Sequence, residues 1–274
     1  MIVHLVDGTY ELFRHFYGAR RATQGQDSPF GAVIGVLGTV LQLIETGATH
    51  VGVATDHVIE SFRNALWAGY KTGDGIEPAL WAQFHPLEAA LPAMGVVVWP
   101  MIDLEADDAL ASAARIAAAD ERVEKVCIWT PDKDLAQCVD GDRVVQVDGR
   151  RKTIRNATAV REKFGVEPRL IPDFLALVGD AADGYPGIPG IGAVTAARLL
   201  NQYGAIERFP PEVLGDGREP ALLFKQLATL RTDAPLFQDV EELRWRGPTA
   251  AFGTWTERLG APRLLERSRK TRMA

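Results

Sequence analysis

Residues 177–203 read LVGDAADGYPGIPGIGAVTAARLLNQY. A helix-like run ends at two carboxylates, Asp180 and Asp183, and a turn rich in Pro and Gly leads into a second helix-like run near Ala193. Gly190 and Gly192 let backbone N–H groups approach a phosphate closely, and the following helix N-terminus favours an anion. The stretch therefore predicts an anion-binding turn beside two possible metal ligands, which indicates phosphodiester chemistry.

Two other interpretations of this stretch are open. The glycines loosely resemble a dinucleotide-binding motif, but that motif follows a buried strand, whereas Pro186 and Pro189 precede the glycines here. Asp180 and Asp183 could each be an ordinary solvated or helix-capping carboxylate. The distribution of acidic residues along the rest of the chain bears on that choice.

The composition is that of an ordinary globular protein. The 274 residues are 47% hydrophobic and 24% charged, enough for one large domain or two smaller ones. The N-terminal sequence lacks the pattern of a signal peptide, and no apolar run is long enough to span a bilayer. The two cysteines and five histidines show no zinc-type spacing. We therefore expect a reduced, cytoplasmic protein that is monomeric and binds no membrane.

Short apolar runs alternate with helical patterns. Strands rich in β-branched residues are predicted at 2–6, 51–55, 96–99, 126–130 and 144–147. Helices are predicted at 30–46, 76–94 and 106–119. This alternation predicts an α/β fold, with a mostly parallel sheet flanked by helices on both faces.

Three of the predicted strands deliver aspartate at their carboxyl ends. Asp7 and Asp56 follow the first two strands, and Asp132 and Asp134 follow the strand at 126–130. Each aspartate alone could be a turn or capping residue. Because ligands bind beyond the carboxyl ends of parallel strands, the three strand ends together predict one site.

A further acidic cluster opens the helix predicted at 106–119. Glu105 and Asp108 share one helical face with Asp107 alongside, which makes a compact group of oxygen donors. Acids in a first helical turn also suit the helix dipole, so a purely structural explanation is open. Hard cations such as Mg²⁺ take such carboxylates together with water and substrate phosphate.

Nine carboxylates are thus candidate metal ligands. They are Asp7, Asp56, Glu105, Asp107, Asp108, Asp132, Asp134, Asp180 and Asp183. Their combined charge exceeds the net charge of −6, so the remainder of the chain is net positive. An acidic centre with a basic surround is the charge pattern expected of a metal nuclease, despite the negative total.

Candidate cations follow two of the acidic strand ends. Arg14 and Arg20 come after the first strand, and Arg63 and Lys71 come after Asp56. A helix over 61–71 would place Arg63 and Tyr70 on one face. Each cation could be a solvated surface charge, but their position favours contact with phosphate.

The C-terminal half is predicted to be a helical subdomain. Helices are predicted at 161–178 and 193–203, a loop at 205–220, and a helical then strand-like segment at 221–245. The boundaries we expect are a nuclease core at 1–160, a helical duplex-binding subdomain at 161–255, and a C-terminal segment at 256–274. Its basic tail is predicted to be flexible.

These motifs, in this order, resemble the 5′-3′ exonuclease and flap endonuclease family, in the bacterial branch that includes the N-terminal nuclease domain of DNA polymerase I and its stand-alone relatives. The segments that carry the resemblance lie at 5–8, 62–63, 70–71, 105–108, 130–135 and 179–192. The resemblance covers about residues 1–205, and these ordered motifs together are specific where one alone would be weak.

The resemblance implies a PIN-like nuclease core and a helix-three-turn-helix element, of helix-hairpin-helix type, at about 177–203. It implies that Asp7, Asp56, Glu105 and Asp107 surround one Mg²⁺ or Mn²⁺ ion. Asp132, Asp134 and Asp183 would serve a second ion, with Asp108 and Asp180 in support. Arg63 and Lys71 would be catalytic through the scissile phosphate. Gly190, Gly192 and Thr195 would contact duplex DNA, with a possible K⁺ ion at the turn.

Some residues depart from the family pattern. The segment 72–95, where the family places a helical arch over the 5′ strand, contains no Lys or Arg. The glycine turn continues into Ala193-Val194 where relatives often have a charged residue and lysine. These departures concern substrate preference and duplex affinity rather than the metal centre.

The leading hypothesis is a two-metal nuclease that hydrolyses DNA near a 5′ flap, nick or free 5′ end, in repair or replication at the bacterial nucleoid. One enzymatic alternative is an RNase H-like nuclease acting on RNA–DNA hybrids. A non-catalytic, structure-specific DNA-binding protein is the third possibility, and nine acids facing a polyanion argue against it unless metal neutralises them.

Overall fold

A computed structural model describes residues 1–23 and 28–273, without the side chains of residues 19–23 and 273. Its six strands are β1 (Ile2–Asp7), β2 (His50–Asp56), β3 (Val97–Met101), β4 (Lys125–Trp129), β5 (Val144–Asp148) and β6 (Thr153–Arg155). They form one sheet in the order β3-β2-β1-β4-β5-β6. All neighbouring strands are parallel except β5 and β6, which are antiparallel.

The strand order places the predicted acidic site at the carboxyl ends of the central strands of the sheet. The chain moves from β1 outward to β2 and β3, then returns to the other side of β1 with β4 and β5. Such a reversal opens a crevice beyond the carboxyl ends of the central strands. Asp7 ends β1 and Asp56 ends β2, so both lie at this crevice.

Thirteen helices are present in the described part of the chain. Those before β6 are α1 (Gly8–Thr23), α2 (Gly31–Glu45), α3 (Phe62–Leu66), α4 (Pro78–Trp81), α5 (Phe84–Ala93) and α6 (Ala106–Ala119). Those after it are α7 (Ala157–Phe164), α8 (Ile171–Val178), α9 (Ala193–Tyr203), α10 (Pro211–Leu214), α11 (Arg218–Ala228), α12 (Phe252–Arg258) and α13 (Pro262–Met273). None of these described helices has both the length and the apolar character needed to cross a bilayer.

Two apolar cores cover the two faces of the sheet. On one face, side chains of α1, α2 and α5 pack with α12 and α13, and Leu37 and Leu91 are fully buried there. On the other face the alanine-rich α6 lies against β1 and β4, because its small side chains permit a close approach. A third core joins α8, α9 and α11 in the C-terminal half.

Several predicted elements change in the structure. The helix predicted at 161–178 is broken after Phe164, where Gly165 adopts a φ of +74° that ends α7. The loop predicted at 205–220 contains α10 and two short 3-10 turns. The strand-like segment before 245 is not a strand: within the described residues it holds an isolated bridge between Arg244 and His50.

The C-terminal basic segment is ordered, which corrects the prediction of a flexible tail. It forms α13, whose Leu264 is 4% exposed within the core that also contains α2. Arg267 pairs with Glu45 of α2 at 2.7 Å. An apolar stripe and an ion pair hold this helix, so its basic residues are not a free tail.

The segment 72–95 also differs from expectation. Most of it belongs to α4 and α5, and Leu80, Phe84, Leu87 and Leu91 are almost fully buried against α2. This apolar spacing of three and four residues is typical of a core helix. Therefore α5 is part of the folded core rather than an arch over the 5′ strand. Residues 72–77 are the part of the segment that lies before α4.

Candidate metal and nucleic-acid site

Hydrogen bonds fix two strand-end carboxylates at the sheet edge. Asp7 is 5% exposed, and it accepts from the backbone N–H of Tyr10 at 2.8 Å and from Thr130 Oγ1 at 3.0 Å. Asp56 accepts from the backbone N–H of Ala106 at 2.8 Å, which ties β2 to the start of α6. The neighbouring Gly8 is required there, because a Cβ would lie 2.7 Å from Thr55.

The first turn of α6 brings further carboxylates to the same place. Burial, with the nearby Asp132 and Asp7, raises the pKa of Asp107 well above its usual value. Burial also acts on Glu105, but Lys71 and Arg63 outweigh it and lower the pKa of Glu105. Glu105 is thus already charge-compensated, whereas burial and the neighbouring acids disfavour the ionised form of Asp107 unless a cation binds.

A second acidic group lies beside the first. Asp134, Asp180 and Asp183 are all buried, and one oxygen of each lies within 4.8 Å of the others. Burial, with Asp132 and Asp183, raises the pKa of Asp134 well above its usual value. Asp180 and Asp183, the two carboxylates of the stretch 177–203, therefore lie with Asp134, which follows the end of β4.

The donor set of this cluster fits a divalent cation. Asp134 Oδ1 is buried and has no hydrogen-bond partner within residues 1–23 and 28–273, and neither has the buried hydroxyl of Tyr185 nearby. A buried, unpaired carboxylate oxygen is costly unless a cation compensates it. Converging carboxylate oxygens without imidazole or thiolate are ligands of a hard ion. This group fits a divalent metal.

Lys71 joins the two acidic groups. Its Nζ lies 2.7 Å from Glu105 Oε2 and 3.0 Å from Asp183 Oδ1, and its side chain is 31% exposed. Glu105 and Asp183 outweigh burial and raise the pKa of Lys71 well above its usual value. The ammonium is therefore charged and partly open to solvent at the centre of the site.

Arg63 is placed differently from the prediction. Its side chain is 1% exposed, and all five of its N–H donors are used, by Glu105, by both oxygens of Asp108, and by the carbonyls of Leu227 and Thr229. The short α3 also ends before Tyr70, so the predicted shared helical face does not exist. In this geometry Arg63 is a buried cation paired with Asp108 and Glu105, and contact of its guanidinium with a phosphate stays a prediction.

Asp108, predicted to support the metal ligands, is the main partner of Arg63. It is fully buried and accepts both Arg63 hydrogen bonds at 2.8 Å. Its oxygens also accept from the backbone N–H of Glu105 at 3.0 Å and of Arg231 at 2.8 Å. With four donors on two oxygens, Asp108 differs from Asp134, whose Oδ1 has no partner in the described part of the chain.

The glycine turn connects α8 to α9 as the sequence predicted for a helix–turn–helix unit. Gly190 has a φ of +81°, and Gly192 is the N-cap residue of α9, close in sequence to Val194, which is 86% exposed. Gly184 is also required, because a Cβ would lie 1.9 Å from the carbonyl oxygen of Gly69. Thr195, in the first turn of α9, is partly buried.

The two arginines predicted to contact DNA from the first helix have different outcomes. Arg14 is paired with Glu11 on α1 and also contacts Thr39 of α2. Arg20 lies in α1, but its side chain is outside the described residues. A DNA contact by either residue stays a prediction.

Sequence reasoning missed a cluster of basic side chains beside Asp132. Burial, followed by the charges of Arg155 and Arg151, lowers the pKa of Lys163, and Lys133 contributes to the same effect. The repulsion that these cations exert on Lys163 indicates a locally positive surface, which Asp132 offsets in part. The run of three basic residues at 150–152, before β6, was the available signal.

Comparison with known proteins identifies the family. A model of the 5′-3′ exonuclease N-terminal resolvase-like domain matches residues 2–165, and a model of the 5′-3′ exonuclease C-terminal SAM fold matches residues 166–251. This chain belongs to the 5′-3′ exonuclease family. The predicted family and fold class are confirmed. Both family models are named for 5′-3′ exonucleases, the enzyme class that the sequence predicted.

Two relatives show how this chain compares in length. DNA polymerase I of Pseudomonas aeruginosa is 37% identical over 259 residues, which cover 87% of this chain and 28% of the polymerase. The 5′-3′ exonuclease of Aquifex aeolicus is 30% identical over 255 residues, which cover 90% of this chain and 87% of that protein. The chain thus spans less than a third of the polymerase and most of the separate exonuclease.

Solved structures support the fold of this chain. The flap endonuclease of bacteriophage T5, solved with DNA and metal ions, has a TM-score of 0.66 at 18% identity, covering 99% of this chain and 98% of the other. The catalytic core of Rad2 with DNA substrate has a TM-score of 0.63 at 14% identity, covering 98% and 91%. At these identities the similarity concerns the fold.

The acidic cluster predicts a pH dependence for the stability of the metal-free protein. Burial, with Asp56 and Asp132, raises the pKa of Asp7 from 3.8 to about 7. A raised carboxyl pKa contributes stability that is complete below the unfolded value and is lost as the pH rises through the folded value. In EDTA, we expect the free energy of unfolding to fall between pH 5 and about 8.

Urea unfolding at several pH values, with EDTA or with Mg²⁺, measures this effect. Mg²⁺ should flatten the decline, because a bound cation favours the ionised carboxylates. The variant Asp7→Asn should show a shallower decline in EDTA than the unmodified protein. Equal unfolding free energies at pH 5 and 8 in EDTA would contradict the raised pKa.

Proposed function

We propose that this chain is a divalent-metal-dependent 5′-3′ exonuclease and flap endonuclease that hydrolyses DNA phosphodiester bonds near a 5′ flap, nick or free 5′ end. The observation that carries the proposal is the convergence of buried carboxylates on one edge of the sheet, including the unpaired Oδ1 of Asp134. Family membership sets the reaction class, and the acidic site supports a metal-assisted mechanism.

Two groups of carboxylates would hold two ions, Mg²⁺ or Mn²⁺. The first group is Asp7, Asp56, Glu105 and Asp107. The second group is Asp132, Asp134 and Asp183, supported by Asp180, whose Oδ2 lies 2.8 Å from Lys133 Nζ. When bound, such ions activate water and stabilise charge on the attacking and leaving oxygens of an in-line displacement.

The protein's own cation in this reaction is Lys71. Two of its three N–H donors point to Glu105 and Asp183, so one remains for a phosphate oxygen. Lys71 would thereby orient the scissile phosphate and neutralise part of its charge. Arg63 would act through Glu105, by holding that carboxylate in place, and we give it a positioning role.

The duplex would bind away from the cut, on the turn that precedes α9. Gly190, Gly192 and Thr195 would present backbone N–H groups and a hydroxyl to phosphates, with a K⁺ ion held by turn carbonyls as a further possibility. The basic cluster around Lys163 would add phosphate contacts on the side of Asp132. The SAM-fold region would therefore set the distance between the duplex contacts on this turn and the phosphodiester bond that is cleaved.

The surface at the start of α9 offers a direct test of this duplex grip. Val194 is 86% exposed where a lysine would reach a phosphate, so Val194→Lys should strengthen duplex binding. The slope of log affinity against log salt should become steeper by about 0.9 for one added phosphate contact. Fluorescence anisotropy over a salt series in EDTA measures both quantities.

The matched control is Thr254→Lys, which makes the same charge change on α12, a helix of the core that contains α2 and α5. It should leave the salt slope unchanged. If both variants steepen the slope equally, the duplex does not lie on the glycine turn, and net charge alone explains the gain.

Cleavage of end-labelled substrates tests the proposed function. The substrates are a 5′-flap DNA, a nicked DNA and an RNA–DNA hybrid, each with Mg²⁺, Mn²⁺ or EDTA. We expect products from the 5′ end of the DNA substrates with Mg²⁺ and none with EDTA. Preferential cleavage of the hybrid would favour the RNase H-like alternative, and binding without cleavage in either metal would favour a non-catalytic DNA-binding protein.

We further propose that the chain acts as a monomer in the bacterial cytoplasm, at the nucleoid, and binds no membrane. Its two cysteines, Cys127 and Cys138, are unpaired, which suits a reducing compartment. The proposed division is a nuclease core at 1–160, a helical subdomain at 161–255 and a C-terminal segment at 256–274.

A further inference from the structure

A second group of possible metal ligands lies outside the carboxylate cluster. His57 follows β2 directly, and His85 and Glu88 lie in the first part of α5. One ligand atom of each residue lies within 4.8 Å of the others. Because His57 and Glu88 are far apart in the sequence, only the fold brings this group together.

The carboxylate of Glu88 is shared by the two imidazoles. Glu88 Oε2 lies 2.7 Å from His57 Nδ1 and 3.3 Å from His85 Nδ1. The ring centroids of the two histidines are 4.5 Å apart. In a tetrahedral zinc site with bonds of about 2.0–2.1 Å, neighbouring donor atoms lie about 3.3 Å apart, so small side-chain movements would suffice.

A supporting hydrogen bond orients the carboxylate. Thr55 Oγ1 donates to Glu88 Oε1 at 3.0 Å, and this leaves Oε2 directed at the histidines. The Glu88 side chain is 8% exposed, whereas those of His57 and His85 are 37% and 60% exposed. A buried, oriented carboxylate with two accessible imidazoles resembles the ligand arrangement of known metal sites. In those sites, hydrogen bonds like the one from Thr55 to Glu88 hold the ligands in place.

This group is separate from the proposed catalytic centre. The side chain of Asp56 turns toward α6, where it accepts from Ala106, whereas its neighbours Thr55 and His57 both contact Glu88 of α5. The two helices cover opposite faces of the sheet, in different cores. A cation bound by the histidines would therefore lie on the other side of the end of β2.

We propose that His57, His85 and Glu88 form a binding site for a transition-metal cation of the zinc type. Imidazole nitrogens favour such ions, whereas Mg²⁺ favours oxygen donors, so the two sites select different metals. A bound ion would cross-link the end of β2 to α5 and leave a coordination position open to solvent. This proposal does not depend on the nuclease activity.

Co²⁺ titration of the full chain, in millimolar Mg²⁺ to occupy the carboxylate cluster, tests the site by visible absorption. We expect one equivalent of Co²⁺ with the intense bands of a tetrahedral nitrogen-containing site, displaced by Zn²⁺. His85→Ala, at an exposed position, and Glu88→Gln should remove the bands. Thr55→Val should weaken binding by about 10–100-fold through the lost outer hydrogen bond.

The matched control is Asp183→Asn, which alters the carboxylate cluster and should retain the Co²⁺ bands. NMR spectra of the five histidine rings give a second readout: Zn²⁺ should shift His57 and His85 and leave His4, His15 and His50 unchanged. Absent bands, bands that survive Glu88→Gln, or bands lost only in Asp183→Asn would each overturn the proposal.

Discussion

Replacing Asp134 with asparagine should lower the rate of flap cleavage by about 1,000-fold or more, while duplex binding remains unchanged. Metal-ion catalysis supplies several kcal/mol of transition-state stabilisation, and about 1.4 kcal/mol corresponds to a tenfold change in rate. Asp134 is the most direct test, because its buried Oδ1 has no partner among the described residues and so the substitution removes no existing side-chain contact from that oxygen.

Two measurements separate cleavage from binding. Single-turnover cleavage of the 5′-flap substrate gives the rate of the chemical step, and anisotropy in EDTA gives duplex affinity. Binding should be unchanged because the grip lies on the turn before α9. The control Glu257→Gln removes one exposed carboxylate from α12 and should affect neither quantity. Equal losses of cleavage and binding in Asp134→Asn would contradict the assigned role.

The positions of the strand-end acids could be predicted from the sequence because strand polarity alone decides them. Once 2–6, 51–55 and 126–130 are interpreted as buried parallel strands, their carboxyl ends must meet at one edge of the sheet. The helix at 106–119 was likewise predicted with its correct bounds, since its alanine-rich pattern begins at a clear acidic start. These features depend on local sequence and on one topological rule.

Other features depend on tertiary partners that no local pattern specifies. The three-residue β6 is stabilised by pairing with β5 and carries too few residues to show a period. Five of the twelve residues of α13 are basic, and its contact with α2 shows that the helix is packed. The group of His57, His85 and Glu88 forms because α5 lies beside the end of β2.

Arg63 shows most clearly why a charged residue cannot be assigned a role from sequence position. A charged side chain is usually exposed, and Arg63 follows an acidic strand end, so a phosphate contact was the natural hypothesis. Its burial depends on Asp108 and on the carbonyls of residues 227 and 229, which lie in another part of the chain. The same contacts tie α11 to the nuclease core.

The variant Arg63→Ala should therefore lower the free energy of unfolding by about 3–5 kcal/mol, the cost of removing one partner of a buried ion pair. The loss is large because Asp108 is fully buried and would keep a charge without its bidentate partner. Urea unfolding followed by circular dichroism measures it. Arg267→Ala is the matched control: it breaks the partly exposed pair with Glu45 and should cost less than about 1 kcal/mol.

A double variant then distinguishes a positioning role from contact with the phosphate. Arg63→Met with Asp108→Leu replaces both charges by apolar side chains, and such replacements of buried ion pairs are often neutral in stability. We expect the double variant to regain most of the stability lost in Arg63→Ala, and its affinity for the flap substrate in EDTA to match that of the unmodified protein. If Arg63→Ala costs no more stability than Arg267→Ala, and the stable double variant binds the substrate poorly, then Arg63 contacts DNA and the buried arrangement is not its working state.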